Sequence, residues 1–507
     1  MRKRTLLLLL AAVGVGAVIV GSVTASTYTA GSLSTVNDSS PFSPGCEGVT
    51  QTGTNNLNAE VEPWVAVDPG NSAHLVAAWQ QDRWSNGGAH ALGAAVSTDG
   101  GATWSTPAFA HFSTCAGGTA ANGGDLERAS DPWVTFASST DVYQISLSFN
   151  DSNPDNAILV SKSTDGGTTW GEPKTLIREN TGSFGLFVDK ESITADPYNS
   201  NRVYAVWDRS RFPSDKASVS ATQTSGALRG TIQFSRTTNG GTSWETPTTI
   251  FAPKRNEFSI ANQIVVLPNT THDLVDITFL SKGDSSKRAW DVDVLRSTDH
   301  GVTWSAPIKI SDVLVLDVRD PDTGQLVRTG DVVPDIAVDP SSGDLYAVWQ
   351  DGRFSAPPSG HAIAGIAFSR STDGGLTWSS PMQLNTVTTT QAFTPSVAVA
   401  SDGTVGVTYY DFRNNTPAAG LPTDYWFVHC HAATANCTNP ANWSADTHVA
   451  GPFDMETAPN ARGLFVGDYE GLTAGAGPKN FVAVFGQAND GSTSNRTDIV
   501  AAKITTP

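Results

Sequence analysis

The chain has 507 residues, of which 39% are hydrophobic and 16% are charged. This composition excludes a disordered chain and a coiled coil, so we expect a packed fold with two or three domains or one large closed architecture. Asp and Glu outnumber Lys and Arg by 49 to 31, which gives a net charge of -18. Such an acidic surface repels phosphate groups and argues against nucleic acid or anionic lipid as a partner.

The first 25 residues have the pattern of a secretory signal peptide. Arg2, Lys3 and Arg4 precede an apolar stretch at 6–20 and small residues at 23–25. We therefore expect a secreted protein whose mature part, residues 26–507, forms a single domain. The alternative is an uncleaved signal that holds the chain at the cell envelope. No later segment is apolar enough to suggest another membrane contact.

Export makes the four cysteines candidates for disulfide bonds. Three pairings are possible, and we favour Cys46 with Cys115 and Cys430 with Cys437, because the second pair encloses a short loop and the first flanks one repeat. A metal site at the cysteines is the weaker interpretation, since no C-x-x-C spacing occurs.

An eight-residue motif, S/T-T-D/N-x-G-x-S/T-W, recurs along the chain. In each copy the acidic or amide side chain can accept hydrogen bonds from its own turn, a glycine supplies the positive φ, and the Trp packs between sheets. We interpret the motif as a structural hairpin turn. The five clear copies are 97–104, 163–170, 237–244, 297–304 and 371–378, with Asp99, Asp165, Asn239, Asp299 and Asp373 at the third position, and a degenerate copy lies near Trp443.

A second repeat precedes several copies of this eight-residue motif, or box, and supplies two further strands. One copy is Val-Ala-Val-Asp-Pro at 65–69 followed by His-Leu-Val-Ala-Ala-Trp at 74–79. Every unit therefore holds four antiparallel strands, which is typical of a β-propeller blade. We predict an all-β propeller with seven blades, or six as the alternative, whose last blade borrows an N-terminal strand from residues 30–40. The predicted first strands begin near Glu62, Asp131, Glu191, Asn262, Asp335, Pro395 and Gly467.

The box is that of the Asp-box or bacterial neuraminidase repeat, and residues 40–505 resemble secreted bacterial sialidase-like proteins. The resemblance implies a propeller and a glycoside hydrolase of the exo-α-sialidase type. Sialidases of this kind have six blades, three Arg that hold the substrate carboxylate, a Tyr nucleophile assisted by Glu, and an Asp acid/base. This chain lacks the Phe-Arg-Ile-Pro that carries the first Arg, and seven units are counted, so catalytic residues cannot be carried over by motif.

Candidate site residues follow from propeller geometry, because the face opposite the boxes collects the ends of the second strands and the starts of the first strands. Arg beside an acidic residue recurs at the second-strand ends, which suggests a carboxylate clamp. The alternative is that these Asp-x-Arg pairs tie blades together by ion pairs. The candidate substrate-binding residues are Arg83, Arg128, Arg353 and Arg413.

Residues that break the repeat are stronger catalytic candidates. Tyr469 has the residue type of a nucleophile, and because neighbouring strand residues face opposite ways, its partner would be Glu191 or Glu62 rather than the adjacent Glu470. Asp131 is the fourth candidate. Ca²⁺ is a competing use of the acidic residues, although no calcium-loop pattern is present. The oxygen ligands available for it are Glu60, Glu62, Asp131, Asp189 and Asp468.

The sequence thus supports two hypotheses. The first is a secreted glycoside hydrolase that acts on extracellular glycans, as a monomer and without a required cofactor. The second is a non-catalytic propeller that binds glycans or proteins at the cell surface.

Overall fold

The computed structural model describes residues 27–179, 185–212, 229–283, 289–355 and 362–506. The predicted signal peptide lies outside the described residues. Regular structure in the described ranges is β-strand apart from two single-turn 3₁₀ helices, Pro440–Asn442 and Met455–Thr457, which confirms the predicted all-β class. In this part of the chain, no helix is long and apolar enough to cross a membrane.

Within the described residues the strands form seven antiparallel units that follow one another along the chain. A single bridge joins units one and two at Ala89 and Ala129, and another joins units three and four at Gly230 and Phe258. The first strands of the units are Val61–Asp68, Arg128–Phe136, Leu186–Ala195, Phe258–Val266, Asp335–Val338, Ala392–Val399 and Gly471–Ala474. The second strands are Asn71–Arg83, Val142–Phe149, Val203–Arg211, Leu274–Lys282, Leu345–Asp351, Thr404–Asp411 and Phe481–Ala488. The third strands are Ala89–Ser97, Asn156–Ser163, Arg229–Thr237, Ala289–Ser297, Gly365–Ser371, Pro422–His431 and Thr497–Thr505.

Units one to six add a fourth strand from the same stretch of chain. These strands are Ala108–Phe109, Lys174–Glu179, Thr248–Phe251, Ile308–Val313, Met382–Gln383 and Thr447–Asp454. In the seventh unit the outer position is taken by Thr29–Ala30 and Ser34–Thr35, which both pair antiparallel with Thr497–Thr505. A separate hairpin, Val318–Arg319 with Leu326–Val327, lies between units four and five.

The first strand of each unit contacts the first strand of the next, and the first strand of unit seven contacts that of unit one. The second strands are largely buried on both faces because neighbouring units cover them. Their large aromatic side chains are fully buried, as at Trp79, Trp207 and Trp349. The apolar cores between units therefore pack neighbouring sheets against one another.

The five boxes connect the third and fourth strands of units one to five and adopt one hydrogen-bonding pattern. In the second box, Asp165 accepts hydrogen bonds from the Thr169 amide at 2.9 Å and from the Thr169 and Ser163 hydroxyls at 2.6 and 2.7 Å. The Trp of each box is partly buried against the sheets. In the third box, Asn239 makes the equivalent contact with the Ser243 amide at 3.0 Å.

We expect Asp165→Ala to lower the free energy of unfolding by about 1 to 3 kcal/mol, because one side chain accepts three hydrogen bonds within the turn. Thermal unfolding monitored by circular dichroism would measure this loss. Asn239→Asp is the matched control, since it installs the side chain found in the other four boxes and should leave the melting temperature nearly unchanged. Equal melting temperatures for Asp165→Ala and the unmodified chain would show that the box does not stabilise the turn.

Candidate active site

The first strands of five units share a β-bulge at the same position. At each bulge the pairing register shifts, and a residue other than Gly adopts a positive φ. Such backbone costs about 1 to 3 kcal/mol per residue and occurs where side chains must be redirected. The residues are Glu62 (54°), Asp131 (54°), Lys190 (45°), Ala261 (61°) and Thr394 (47°).

Three of these bulge residues meet in one buried cluster. The Lys190 ammonium lies 2.6 Å from Asp131 Oδ1, 3.2 Å from Glu62 Oε1 and 3.0 Å from Asp468 Oδ2. Asp468 belongs to the segment that leads into unit seven. One ammonium therefore joins carboxylates from units one, two and seven, and all four groups face the space surrounded by the first strands.

The hairpin between units four and five adds a second cation to this cluster. Leu326 and Arg328 are held by backbone hydrogen bonds to Leu464, each 2.9 Å long. This contact places Arg328 so that its Nε and Nη2 donate to the two oxygens of Asp468 at 3.1 and 2.6 Å. Asp468 is thus held by a two-point guanidinium contact.

Two more arginines lie beside Arg328. The guanidinium carbons of Arg83 and Arg328 are 4.9 and 4.3 Å from the centroid of the Phe465 ring. Burial, reinforced by Arg328 and Arg83, lowers the pKa of Arg462 to about 10. The buried Nε of Arg83 has no hydrogen-bond partner in the structure. Burial also acts to lower the pKa of Arg328, but Asp468 outweighs it and raises that pKa above its usual value. The charge of Arg462 is therefore less well compensated than that of Arg328, and a bound anion beside Arg462 would be stabilising.

These groups line a cavity of about 560 Å³. Its polar side carries Glu62, Asp131, Asp189, Lys190 and Asp468 with the three arginines, and its apolar side is formed by Phe258, Ile260, Trp290 and Leu326. The volume lies in the range of small-molecule sites, and the combination of apolar wall and convergent polar groups is typical of them.

Two neighbouring carboxyl groups in this cavity have opposite proton affinities. Burial raises the pKa of Glu62 to about 7 against the opposing effect of Lys190, and Asp131 and Asp468 add to the increase. Burial also acts to raise the pKa of Asp468, but Arg328 and Lys190 outweigh it and hold that pKa well below its usual range. Near neutral pH one group can donate a proton while the other stays ionised, which is the arrangement of acid and base pairs.

Tyr469 and Glu191 do not line this cavity but a small adjoining pocket that they share with Lys190, whose Nζ lies 5.2 Å from the centroid of the Tyr469 ring. Their roles as nucleophile and partner stay predictions. Adjacent strand residues alternate, and Asp468 and Lys190 take the cavity side. The Tyr469 side chain is only 6% exposed, its hydroxyl donates to the Pro132 carbonyl at 3.4 Å, and its ring lies 5.5 Å from that of Trp133. Burial also raises its pKa well above 10, which disfavours the phenolate.

Glu191 is buried with neither carboxylate oxygen in a hydrogen bond. Burial, followed by Asp131, raises its pKa well above the usual value. The folded protein therefore keeps a proton that the unfolded chain releases, so this contribution to stability is present below about pH 4.3 and declines as pH rises towards the folded pKa.

We expect Glu191→Gln to raise the melting temperature at pH 7 to 8 and to leave it nearly unchanged at pH 4, because the amide has no proton to lose. Scanning calorimetry at both pH values would measure the difference. Glu456→Gln is the control, since Glu456 is exposed and its replacement should matter little at either pH. A destabilised Glu191→Gln at pH 7 to 8 would contradict the argument.

The predicted arginine clamp is only partly present. Arg83 lines the cavity, whereas Arg128, Arg353 and Arg413 do not. Arg353 and Arg413 instead pair at 2.7 and 2.6 Å with Asp351 and Asp411 of their own segments, so the Asp-x-Arg sequence forms a local ion pair in units five and six.

Arg128 is fully buried, and its guanidinium group binds other groups of the protein. Its guanidinium donates to Asn86 Oδ1 and the Gly87 carbonyl, both at 2.8 Å, and packs over the Trp84 ring at 4.4 Å. The side chain holds the junction of units one and two, which explains its departure from the repeat without any ligand.

Four of the five carboxylates considered for Ca²⁺ have side-chain partners in the structure. Glu62, Asp131 and Asp468 surround the Lys190 ammonium, which occupies the position between them that a cation would take. Glu60 points elsewhere and binds the side chain of Gln81. The disulfide bonds are Cys46–Cys115 and Cys430–Cys437, the pairing favoured from the sequence.

Sequence reasoning missed Arg328, Arg462 and the role of Lys190. Lys190 lies in the Asp-Lys-Glu stretch that departs from the repeat, and it is Lys190 rather than Glu191 that lines the cavity. Arg328 could have been found from the long connection between the fourth box and the strand at 335–338. Arg462 precedes the last unit without any pattern that marks it.

Comparison with known proteins gives a short family match. The BNR/Asp-box repeat model matches residues 95–106, which confirms the identity of the first box. No curated protein matches the chain.

Solved structures resemble the chain only distantly. A protein of unknown function from Dyadobacter fermentans is 13% identical, with 94% of this chain and 99% of that chain covered and a TM-score of 0.44. The α-L-arabinofuranosidase Arb93A from Fusarium graminearum is 13% identical, with 75% and 93% covered and a TM-score of 0.46. The intramolecular trans-sialidase from Ruminococcus gnavus is 13% identical, with 75% and 94% covered and a TM-score of 0.42.

Proposed function

We propose that this protein is an exported glycoside hydrolase of the exo-α-sialidase type, which removes a carboxylate-bearing sugar from extracellular glycans. The observation that supports it best is the cavity of about 560 Å³, which combines a protonatable carboxyl group, ionised carboxylates and three guanidinium groups. Glycosidases need an acid and a base at one glycosidic bond, and an anionic sugar needs fixed cations nearby.

Glu62 is the proposed general acid. With a pKa of about 7, its carboxyl group is partly protonated at neutral pH and can protonate the glycosidic oxygen as the bond to the anomeric carbon breaks. Asp131 is the proposed nucleophile, which would form a covalent bond to the anomeric carbon as the leaving group departs. Water, deprotonated by Glu62, would then attack that carbon, break the bond to Asp131 and release the sugar. Lys190 positions both carboxyl groups.

The ammonium contact also bears on stereochemistry. Asp131 and Glu62 both lie within 3.2 Å of Lys190 Nζ, so their oxygens are closer than the roughly 6.5 to 9.5 Å separation of inverting enzymes. The spacing favours the mechanism that retains the configuration of the anomeric carbon.

The three arginines supply the anion site in this proposal. Arg328 donates to Asp468 and is held in place by that contact, while the Nε of Arg83 has no hydrogen-bond partner. Arg462 lines the cavity on the same side. A sugar carboxylate between them would offset the mutual repulsion of the guanidinium groups and gain charge-assisted hydrogen bonds.

The assay compares α-sialosides and uronides with neutral glycosides of the same aryl leaving group. We expect turnover of a carboxylate-bearing substrate, and we expect Arg462→Lys to raise its KM about 10- to 100-fold, because an ammonium cannot reproduce the planar guanidinium contact. Arg353→Lys, which changes an arginine outside the cavity, is the matched control. A preference for neutral glycosides would overturn the choice of substrate.

Absence of turnover across the panel, together with binding of a glycan that Glu62→Gln leaves intact, would instead support the non-catalytic propeller. The separate measurements of turnover and binding keep the two functions distinguishable.

The proposed architecture is a propeller with the seven units as blades. Contacts run from each first strand to the next and from unit seven back to unit one, and the N-terminal strands take the outer position of the last unit. In such a closed ring, the first strand of every blade would contact the first strands of both neighbouring blades.

A further inference from the structure

A buried group of metal-ligating side chains lies beside the junction of units one and two, outside the candidate active site. One potential ligand atom each from Cys46, Glu47, His90 and Cys115 falls within 4.8 Å of the others. His90 is 1% exposed and Glu47 is 4% exposed. The two cysteines are joined as a disulfide in this structure, so their sulfur atoms are not free to bind metal in this state.

The histidine is oriented as metal-binding histidines are. His90 Nδ1 lies 2.9 Å from Asp82 Oδ2, and the opposite nitrogen, Nε2, points to Glu47 Oε1 at 3.0 Å. A carboxylate on one ring nitrogen fixes the tautomer and leaves the other nitrogen for a metal. The edges of the Phe42 and Trp84 rings pack near the imidazole at 5.9 Å and restrict its rotation.

The Glu47 carboxylate has one charged partner, because its Oε1 lies 3.0 Å from His90 Nε2 and both side chains are buried. Its contact with His90 does not have the alignment of a hydrogen bond, and neither oxygen accepts a hydrogen bond in the structure. Buried carboxylates are normally paired or bound to metal. Two thiols, an imidazole and such a carboxylate form the four-ligand set that Zn²⁺ binds in tetrahedral geometry.

We propose that the reduced form of this protein binds one Zn²⁺ through Cys46, Glu47, His90 and Cys115. A dithiol reductant breaks the sulfur–sulfur bond, gives two electrons and two protons to the cysteines, and becomes a disulfide itself. Zn²⁺ then displaces the two thiol protons and is bound by the thiolates, the imidazole and the carboxylate. The bound Zn²⁺ would replace the disulfide bond as the cross-link between the N-terminal segment with Cys46 and the loop with Cys115.

The second disulfide provides a control within the same chain. Cys430 and Cys437 also become thiols on reduction, but no comparable set of ligands surrounds them among the described residues. The variant Cys430→Ser/Cys437→Ser therefore isolates the proposed site. A four-coordinate structural site should bind metal much more tightly than an isolated pair of thiols.

The test uses the full chain reduced with dithiothreitol, which is then removed under anaerobic conditions. Co²⁺ is titrated as the spectroscopic probe, followed by Zn²⁺. In the Cys430→Ser/Cys437→Ser background we expect one Co²⁺ per chain, with thiolate-to-cobalt charge transfer and the strong visible bands of tetrahedral cobalt, all abolished by one equivalent of Zn²⁺. The oxidised protein should show none of these bands.

Asp82→Asn should weaken metal binding about 10- to 100-fold, as is typical for a residue that orients a ligand. His90→Gln should remove the tetrahedral cobalt spectrum. Circular dichroism identifies any variant that fails to fold.

A measurement on the unmodified reduced protein avoids that problem. We expect Zn²⁺ to protect Cys46 and Cys115 from iodoacetamide while Cys430 and Cys437 are alkylated, as read by peptide mapping. Equal alkylation of all four cysteines in the presence of Zn²⁺, or cobalt bands that survive in His90→Gln, would overturn the proposal.

Discussion

Glu62→Gln is expected to lower kcat/KM for an unactivated glycoside about 100- to 10,000-fold, which is the range for loss of a general acid. The glutamine keeps the size of the side chain and its place at the bulge, so the cavity should stay intact. The alkaline limb of the rate profile should lie near the Glu62 pKa of about 7, because activity that needs the protonated acid falls as pH rises through that value.

The dependence on the leaving group separates a catalytic from a structural role. An aryl glycoside with a good leaving group needs little protonation, so Glu62→Gln should slow it far less than an alkyl glycoside. Glu470→Gln is the control, since the Glu470 carboxyl group is equally buried but accepts a hydrogen bond from the Gly486 amide at 2.9 Å and lies outside the cavity. Equal losses of kcat/KM on the aryl and alkyl glycosides, or an alkaline limb of the rate profile that Glu62→Gln leaves unchanged, would show that Glu62 is not the general acid.

Deletion of residues 27–36 is expected to abolish the cooperatively folded state or to lower its stability by about 5 kcal/mol or more. The deletion removes both strands that cover Thr497–Thr505 and the Val36 amide that donates to the Ile499 carbonyl at 2.8 Å. It also removes Val36, only 2% exposed against Val482 and Ile499. An uncovered sheet edge favours aggregation.

Thermal unfolding and limited proteolysis would measure this loss. Leu33→Ser is the control, because Leu33 lies in the same segment but is 37% exposed and should change stability by less than about 0.5 kcal/mol. A truncated chain that melts at the temperature of the full chain would show that these strands do not close the architecture.

Much of the fold could be predicted because its signals are local. Each box carries its own turn chemistry, and Asp165 binds residues no more than four positions away. The apolar second strands and the spacing of the boxes then indicate four strands in a unit. These features repeat, so one correct interpretation applies to every copy.

The site was harder to predict because its geometry depends on bulges and on contacts between distant segments. Glu62 and Asp131 could be named from the sequence, but a single-residue bulge decides whether Lys190 or Glu191 faces the cavity. Alternation alone gives two equivalent choices for such a pair. Arg328 reaches Asp468 across 140 positions, and no local pattern indicates such a contact.

The hairpin of Val318–Arg319 and Leu326–Val327 stands apart from the seven units, and it leads into Arg328. The sheets, the boxes and the bulges recur from unit to unit. The hairpin has no counterpart in the other units of the described residues, and it brings the cation that holds Asp468 in place. A chain without this insertion would therefore keep the repeated strands and the Glu62, Asp131 and Lys190 cluster on their bulges, but it would lose the guanidinium contact to Asp468.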